Sequence, residues 1–180
     1  FKNKWYIAYH TQTLEKTVGL EKGGYRALFI DNFNVNEDGS LPIQKGTKEG
    51  VAQVVSFNPY DEIPAATFAT SRNVVVTDSQ TLCPVKNGAY ICIKGVDLSK
   101  GAKEIEFTFA KAVKRGFRSS DSIKVMINNF GANGTVIGEA KLNKKNVLNC
   151  DLKLSESDSK VCDLYFVFSG NCELKSWKMK

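Results

Sequence analysis

His10 is the only histidine in the 180-residue chain, and this removes most of the usual hydrolytic chemistry. A Ser-His-Asp or Cys-His arrangement needs an imidazole held between a nucleophile and an orienting group. His10 sits instead in Trp5-Tyr6-Ile7-Ala8-Tyr9-His10-Thr11, which reads as a strand. The carboxylates give no acid–base pair: Asp31 closes an apolar run, and Glu37 and Asp38 fall in Asn36-Glu37-Asp38-Gly39-Ser40. There Asp-Gly is turn chemistry, because glycine accepts positive φ. The cysteines are Cys83, Cys92, Cys150, Cys162 and Cys172. None has the CxxC spacing of a zinc site, and an odd number cannot all pair internally. An oxidising compartment predicts one or two disulfides, and a reducing one predicts five small buried hydrophobes. The chain by itself therefore reads as non-catalytic, with no metal and no cofactor.

The elements that would position these residues are strands. Hydrophobic residues make up 42% and aromatics 11%, enough to exclude a disordered chain. No apolar run is long enough for a transmembrane helix, so no membrane partner is expected. The net charge of +6 is spread along the chain. Its one local cluster, Lys111-Ala112-Val113-Lys114-Arg115 with Arg118, reads as a solvated loop rather than a nucleic-acid patch.

Strand runs are expected at Trp5–Thr11, Tyr25–Val35 and Leu41–Ile43, then at Thr67–Ala69, Val74–Thr77, Ala89–Lys94 and Glu104–Ala110. Further runs follow at Ile123–Asn128, Thr135–Leu142, Cys150–Leu154, Asp163–Phe168 and Leu174–Met179. Leu14–Glu21 is the best helical candidate. Many short strands separated by Gly, Asn, Asp and Ser predict an all-β sandwich. Asn133-Gly134-Thr135 matches a glycosylation sequon but reads as a turn. The chain opens at Phe1 inside a strand-like run, as a piece of a longer protein would.

Two resemblances refine this reading, meeting near Asn58-Pro59-Tyr60. Lys4-Trp5-Tyr6-Ile7-Ala8-Tyr9-His10-Thr11-Gln12, Gly24-Tyr25-Arg26 and Asn36-Glu37-Asp38-Gly39 resemble the last propeller blade of glycoside hydrolase family 43, of arabinofuranosidase or xylosidase type. Asn87-Gly88-Ala89-Tyr90-Ile91, Gly134-Thr135-Val136-Ile137-Gly138 and Asp163-Leu164-Tyr165-Phe166-Val167-Phe168 resemble a family 6 carbohydrate-binding module. The resemblances imply a propeller-blade-like antiparallel segment over 1–57 and a jelly-roll-like β-sandwich over 58–180. The first family's catalytic acids would lie on other blades, so the chain alone is expected to hydrolyse nothing.

The second resemblance implies two sugar sites. At the loop end the expected tyrosine position holds Pro84, the asparagine position falls near Glu173, and no aromatic residue occurs between Phe130 and Tyr165. That site is expected to be weak or absent. On the sheet face Tyr90 takes the place of the family's tryptophan, with Lys124, Asn128 and Asp78 as polar neighbours.

The family's calcium ligands are replaced by Pro64-Ala65-Ala66 and by Lys175, which is read as a possible built-in cation. Cys83 and Cys172 fall in the loops flanking the lost cleft and could close it with a disulfide. The implied function is non-catalytic targeting of xylan or arabinoxylan for an extracellular hydrolase, with the catalytic propeller as partner. The alternative is a structural domain that braces that propeller and has lost sugar binding. Exposure of Tyr90, Trp5 and Trp177 separates the two.

Overall fold

Two aromatic-rich runs pair antiparallel at the start of the chain: β1 (Trp5–Thr11) and β2 (Ala27–Phe33), in register from Trp5↔Phe33 to Thr11↔Ala27. The structure is a computed structural model that describes residues 1, 3–12, 26–47, 50–52, 55–77, 79–110, 121–129, 131–155, 158 and 160–180. It divides into two compact units, Phe1–Val54 and Val55–Lys180.

In the first unit Asp31 is buried on β2, opposite Ile7. Its carboxylate accepts hydrogen bonds from the Tyr9 hydroxyl at 2.6 Å, from the Thr47 hydroxyl at 2.6 Å and from the Thr47 N–H. Tyr9 stacks on Phe29 with ring centroids 5.9 Å apart. Gly46 lies so close that a Cβ there would come within 2.7 Å of the Tyr9 hydroxyl. One buried carboxylate thus folds the 41–47 segment back over the pair. Asn36–Ser40 forms the expected turn: Gly39 has φ +80°, and Asp38 accepts from the Ser40 N–H and hydroxyl. Leu41–Ile43 is not a strand, contrary to expectation. Pro42 has no N–H to give a ladder, and Gln44 makes the tie instead, accepting from Asn34 N–H and donating to the Asn32 carbonyl. The expected helix over 14–21 lies outside the described residues.

The second unit is a β-sandwich. Its strands are β3 (Ile63–Pro64), β4 (Thr70–Arg72), β5 (Val74–Val76), β6 (Leu82–Pro84), β7 (Ala89–Asp97) and β8 (Glu104–Phe109). They continue as β9 (Ser122–Ile127), β10 (Thr135–Lys141), β11 (Val147–Asp151), β12 (Val161–Ser169) and β13 (Leu174–Met179). A five-stranded sheet runs β10-β9-β12-β7-β4, and a six-stranded sheet runs β11-β8-β13-β6-β5 with β3 added on β13. All described pairings within the sheets are antiparallel. A period of two sends alternate side chains to opposite faces, so on β12 Leu164, Phe166 and Phe168 are buried while Asp163, Tyr165 and Val167 face outward.

Phe166 is the centre of the core. It meets Phe107 of the opposite sheet edge-on at 5.2 Å and Trp177 edge-on at 5.1 Å, and Phe57 stacks on Trp177 at 6.3 Å. Edge-to-face pairs match a ring's positive edge to a negative face. Phe57 also pairs with Val96 and hydrogen-bonds around Gly95 and Asp97, so it belongs to the sandwich.

Most strand positions follow the alternation read from the sequence. The expected Thr67–Ala69 run lies instead at β4, and Cys150–Leu154 lies earlier, at β11. The two-residue β3 and three-residue β6 were missed, because each ends in proline and is too short for a period to show. The sequon is a turn: a short 3₁₀ segment, Gly131–Asn133, leads through Gly134 into β10.

Two outcomes test this architecture. Phe166→Ala removes the ring shared by both sheets and should cost about 3–5 kcal/mol, read from urea unfolding with an unchanged slope. Asp31→Asn should lower the thermal midpoint at pH 7. Hydrogen bonds from the Thr47 hydroxyl and then the Tyr9 hydroxyl hold the Asp31 carboxyl below the ordinary range. A depressed folded pKa stabilises above the unfolded pKa and is lost as pH falls through the folded value, so the gap between variant and parent should narrow below about pH 4.

Candidate functional site

The outward face of the five-stranded sheet collects the residues that the sequence singled out. Strand register sets its rows. Arg72 lies opposite Tyr90, Tyr90 opposite Val167, Val167 opposite Lys124, and Lys124 opposite Glu139. The next row is Thr70, Cys92, Tyr165, Met126 and Val136. Residues directly opposite one another share a face, so Tyr90 and Lys124 share one cross-strand row, two strands and roughly 10 Å apart.

Asn128 is elsewhere. It lies four residues beyond Lys124, roughly 13 Å along the strand direction, in the left-handed region at φ +69°, with its N–H donated to the Asp163 carbonyl. The structure therefore brings Lys124 toward Tyr90 and leaves Asn128 at the strand end. Asp78 lies outside the described residues.

Tyr165 was not singled out as a site residue. Its ring lies 6.3 Å from Tyr90, tilted by 55°. The signal was available, because alternation along Asp163-Leu164-Tyr165-Phe166-Val167-Phe168 assigns Tyr165 to the face opposite Phe166. What the sequence withheld was the register that sets β12 beside β7.

Cys92, on the Tyr90 face, is almost fully buried. Burial pushes its thiol pKa up, with hydrogen bonds to Tyr165 and Thr70 opposing. Burial and the bond to Cys92 hold the Tyr165 hydroxyl far above neutrality. Neither group is a nucleophile near pH 7. Glu139 accepts from the Ser122 hydroxyl at 2.7 Å and pairs with Lys141 at 3.0 Å; these contacts keep its carboxylate ionised.

At the loop-end positions that the resemblance marks, the described residues offer no aromatic platform. Pro84 is buried and Glu173 half-buried. Cys83 and Cys172 lie close enough to interact electrostatically, and burial raises the Cys172 thiol to about 12. No disulfide joins any of the five cysteines in the structure, including the expected Cys83–Cys172 pair.

The Pro64-Ala65-Ala66 opening packs through its backbone: Ala65 is fully buried, and its N–H donates to the Lys175 carbonyl at 2.9 Å. Lys175 contributes that carbonyl while its side chain is exposed, with no ion pair to a described residue. Among the described residues no cluster of three or more His, Cys, Asp or Glu could hold a metal.

In the first unit the Arg26 guanidinium lies 3.0 Å from His10 Nε2. Guanidinium only donates, so Nε2 accepts and the proton sits on Nδ1. A recess of about 190 Å³ lined by Ile7, Tyr9, Asp31 and Gln44 contains the Asp31 carboxylate, but its three donors already occupy it. Trp5 is 66% exposed, Trp177 is 1% exposed and Tyr90 is half-buried, so the three rings are not all buried. Among the described residues no helix is long and apolar enough to cross a membrane.

No family model matches the chain. Arabinoxylan arabinofuranohydrolases of Bacillus subtilis and Paenibacillus polymyxa are each 28% identical to it, over 77% and 95% of the chain. The chain is similar to part of these family 43 enzymes. It spans only about a quarter of their length, 27% and 28%. A solved family 43 arabinoxylan arabinofuranohydrolase from B. subtilis, in complex with cellotetraose, aligns over the whole chain and 39% of its own, with TM-score 0.78 and 23% identity. A family 6 carbohydrate-binding module from Clostridium cellulolyticum, in complex with xylose, aligns over 69% of this chain and 99% of its own, with TM-score 0.57 and 19% identity. The resemblance read from the motifs thus holds: the chain is similar to part of arabinoxylan arabinofuranohydrolases, and its sandwich has the family 6 fold.

The thiols give a direct check. Ellman's reagent should label the half-buried Cys83 first in the reduced native protein, and Cys83→Ser should remove that fast phase. Cys172, held protonated by burial, should react only on unfolding.

Proposed function

We propose that residues 58–180 are a non-catalytic carbohydrate-binding module that targets plant cell-wall polysaccharide of the xylan or arabinoxylan type for a glycoside hydrolase. The observation that carries this is the pair of rings on the outward five-stranded face, Tyr90 and Tyr165, with Lys124 in the Tyr90 row. Sugar rings stack their apolar C–H faces on aromatic side chains, and the hydroxyls of tyrosine and the ammonium of Lys124 are hydrogen-bonding partners for sugar hydroxyls. Asn128, at the strand end, and Asp78 are the further polar groups that the family resemblance proposes for sugar contacts. Residues 1–57 are the blade-like segment, with the catalytic propeller of a parent enzyme as its partner. The chain itself performs no hydrolysis. It acts outside the cell by holding an attached enzyme at high local concentration on its polymer.

One observation favours a second reading, a sandwich that braces the propeller without binding sugar. The loop-end positions hold a buried proline and a half-buried glutamate in place of rings, and Tyr90 itself is half-buried.

Isothermal titration with xylo-, arabinoxylo- and cello-oligosaccharides separates the two. Binding to a xylan-type oligosaccharide is expected, weakened about tenfold, or roughly 1.4 kcal/mol, by Tyr90→Ala. A folded protein that gives no heat with any of these glycans establishes the bracing domain.

A further inference from the structure

The two outward faces of the sandwich carry charge differently. On the six-stranded sheet two lysines are matched, Lys178 with Glu106 at 3.2 Å and Lys180 with Glu106 at 2.6 Å and Glu104 at 3.4 Å, while Lys175 makes no ion pair with a described residue. On the five-stranded sheet Arg72, Lys94 and Lys124 are all exposed, and none makes an ion pair with a described residue. Register and alternation place all three on the Tyr90 side. Arg72 is directly opposite Tyr90, Lys124 lies two strands away in the same row, and Lys94 follows Tyr90 and Cys92 along β7. Two carboxylates lie on the same face, and one of them, Glu139, is attracted by Lys124 directly opposite. Glu139 is held by Ser122 and Lys141, and Asp163 accepts from the Gly95 N–H at 3.1 Å. At the far end of β7, Asp97 accepts from Ser56 and from the Ser99 N–H. Tyr90 and Tyr165 therefore sit among three cations that make no ion pair with a described residue.

A neutral glycan needs rings and neutral hydrogen-bonding groups. Among the described residues of this face Arg72, Lys94, Lys124 and Lys141 outnumber Glu139 and Asp163, a positive excess that suits a ligand bringing its own negative charge. On a polysaccharide of the class proposed above, that charge is a carboxylate on a sugar ring. The geometry points to a uronic-acid-bearing xylan-type glycan as the ligand of this face. Tyr90 and Tyr165 take the backbone sugars, and Arg72 takes the uronate through the planar, two-pronged geometry in which guanidinium matches carboxylate. Lys94 and Lys124 supply diffuse positive potential on either side. This inference rests on the reading that Tyr90 binds sugar, and it adds a charge requirement to that reading.

The test compares neutral xylotetraose with xylotetraose carrying one glucuronic acid side group. Both are titrated calorimetrically into the full chain at 20 mM and at 1 M salt. The acidic sugar should bind at least about tenfold tighter at low salt. That preference should fall to about threefold or less at 1 M, where screening acts within about 3 Å. An Arg72→Gln, Lys94→Gln double variant, folded by circular dichroism and thermal midpoint, should bring the affinity ratio close to one. Tyr90→Ala should weaken the acidic sugar as well.

A ratio near one at low salt, with clear binding of both sugars, overturns the inference and leaves the sugar-binding reading standing. No binding of either sugar removes that reading and this one with it. A single-stranded oligonucleotide that binds as tightly as the acidic sugar, with Tyr90→Ala having no effect, overturns the inference in favour of unspecific anion attraction.

Discussion

The register between β12 and its neighbours β7 and β9 governs the rest of the sandwich. β12 is the middle strand of the five-stranded sheet, paired along nearly its whole length on both sides. Its inward set, Leu164, Phe166 and Phe168, fills the space between the sheets, and Phe166 touches aromatic rings of two strands opposite. A slip of one residue would turn Phe166 to solvent and Tyr165 into the core. The packing of a single ring therefore also fixes the position of the surface pair Tyr90 and Tyr165.

That coupling explains how a sheet face holds Tyr90 and Tyr165 in place without dedicated loops. Side chains on the middle of a sheet are held by a ladder on each side and by a core beneath. Cys92 shows this at close range: it points to the outward face, yet Tyr165 and its surroundings cover it almost completely. Burial keeps both groups protonated, so the surface offers shape and apolar area rather than reactivity. The loop end shows the opposite choice. Pro84 and the buried Cys172 fill that region with small packed groups, and among the described residues neither is a ring on which a sugar could stack.

The first unit depends on a different kind of restraint. A two-stranded pair cannot bury much apolar surface, and Trp5, Leu28 and Ile30 remain exposed on it. Asp31 supplies what packing does not, because three hydrogen bonds converge on one carboxylate and tie a distant segment to the strands. From the sequence this residue was only an acid at the end of an apolar run. Its role needed Thr47 and Tyr9, which are 16 and 22 residues away along the chain.

The sequence by itself determined the all-β class, the positions of most strands and the side to which each residue of a long strand points. These follow from local alternation and turn chemistry, which act over a few residues. The motif resemblances pointed to the two fold types, and Tyr90 was found this way. Only the tertiary structure decided which strands lie side by side. That choice put Lys124 and Arg72 in the Tyr90 row, brought Tyr165 beside it and left Asn128 at a strand end. It also buried Trp177 while Trp5 stayed exposed, and it removed Leu41–Ile43 from the strands. Register between distant strands is set by how the inward side chains fill the core, and no local pattern carries that information.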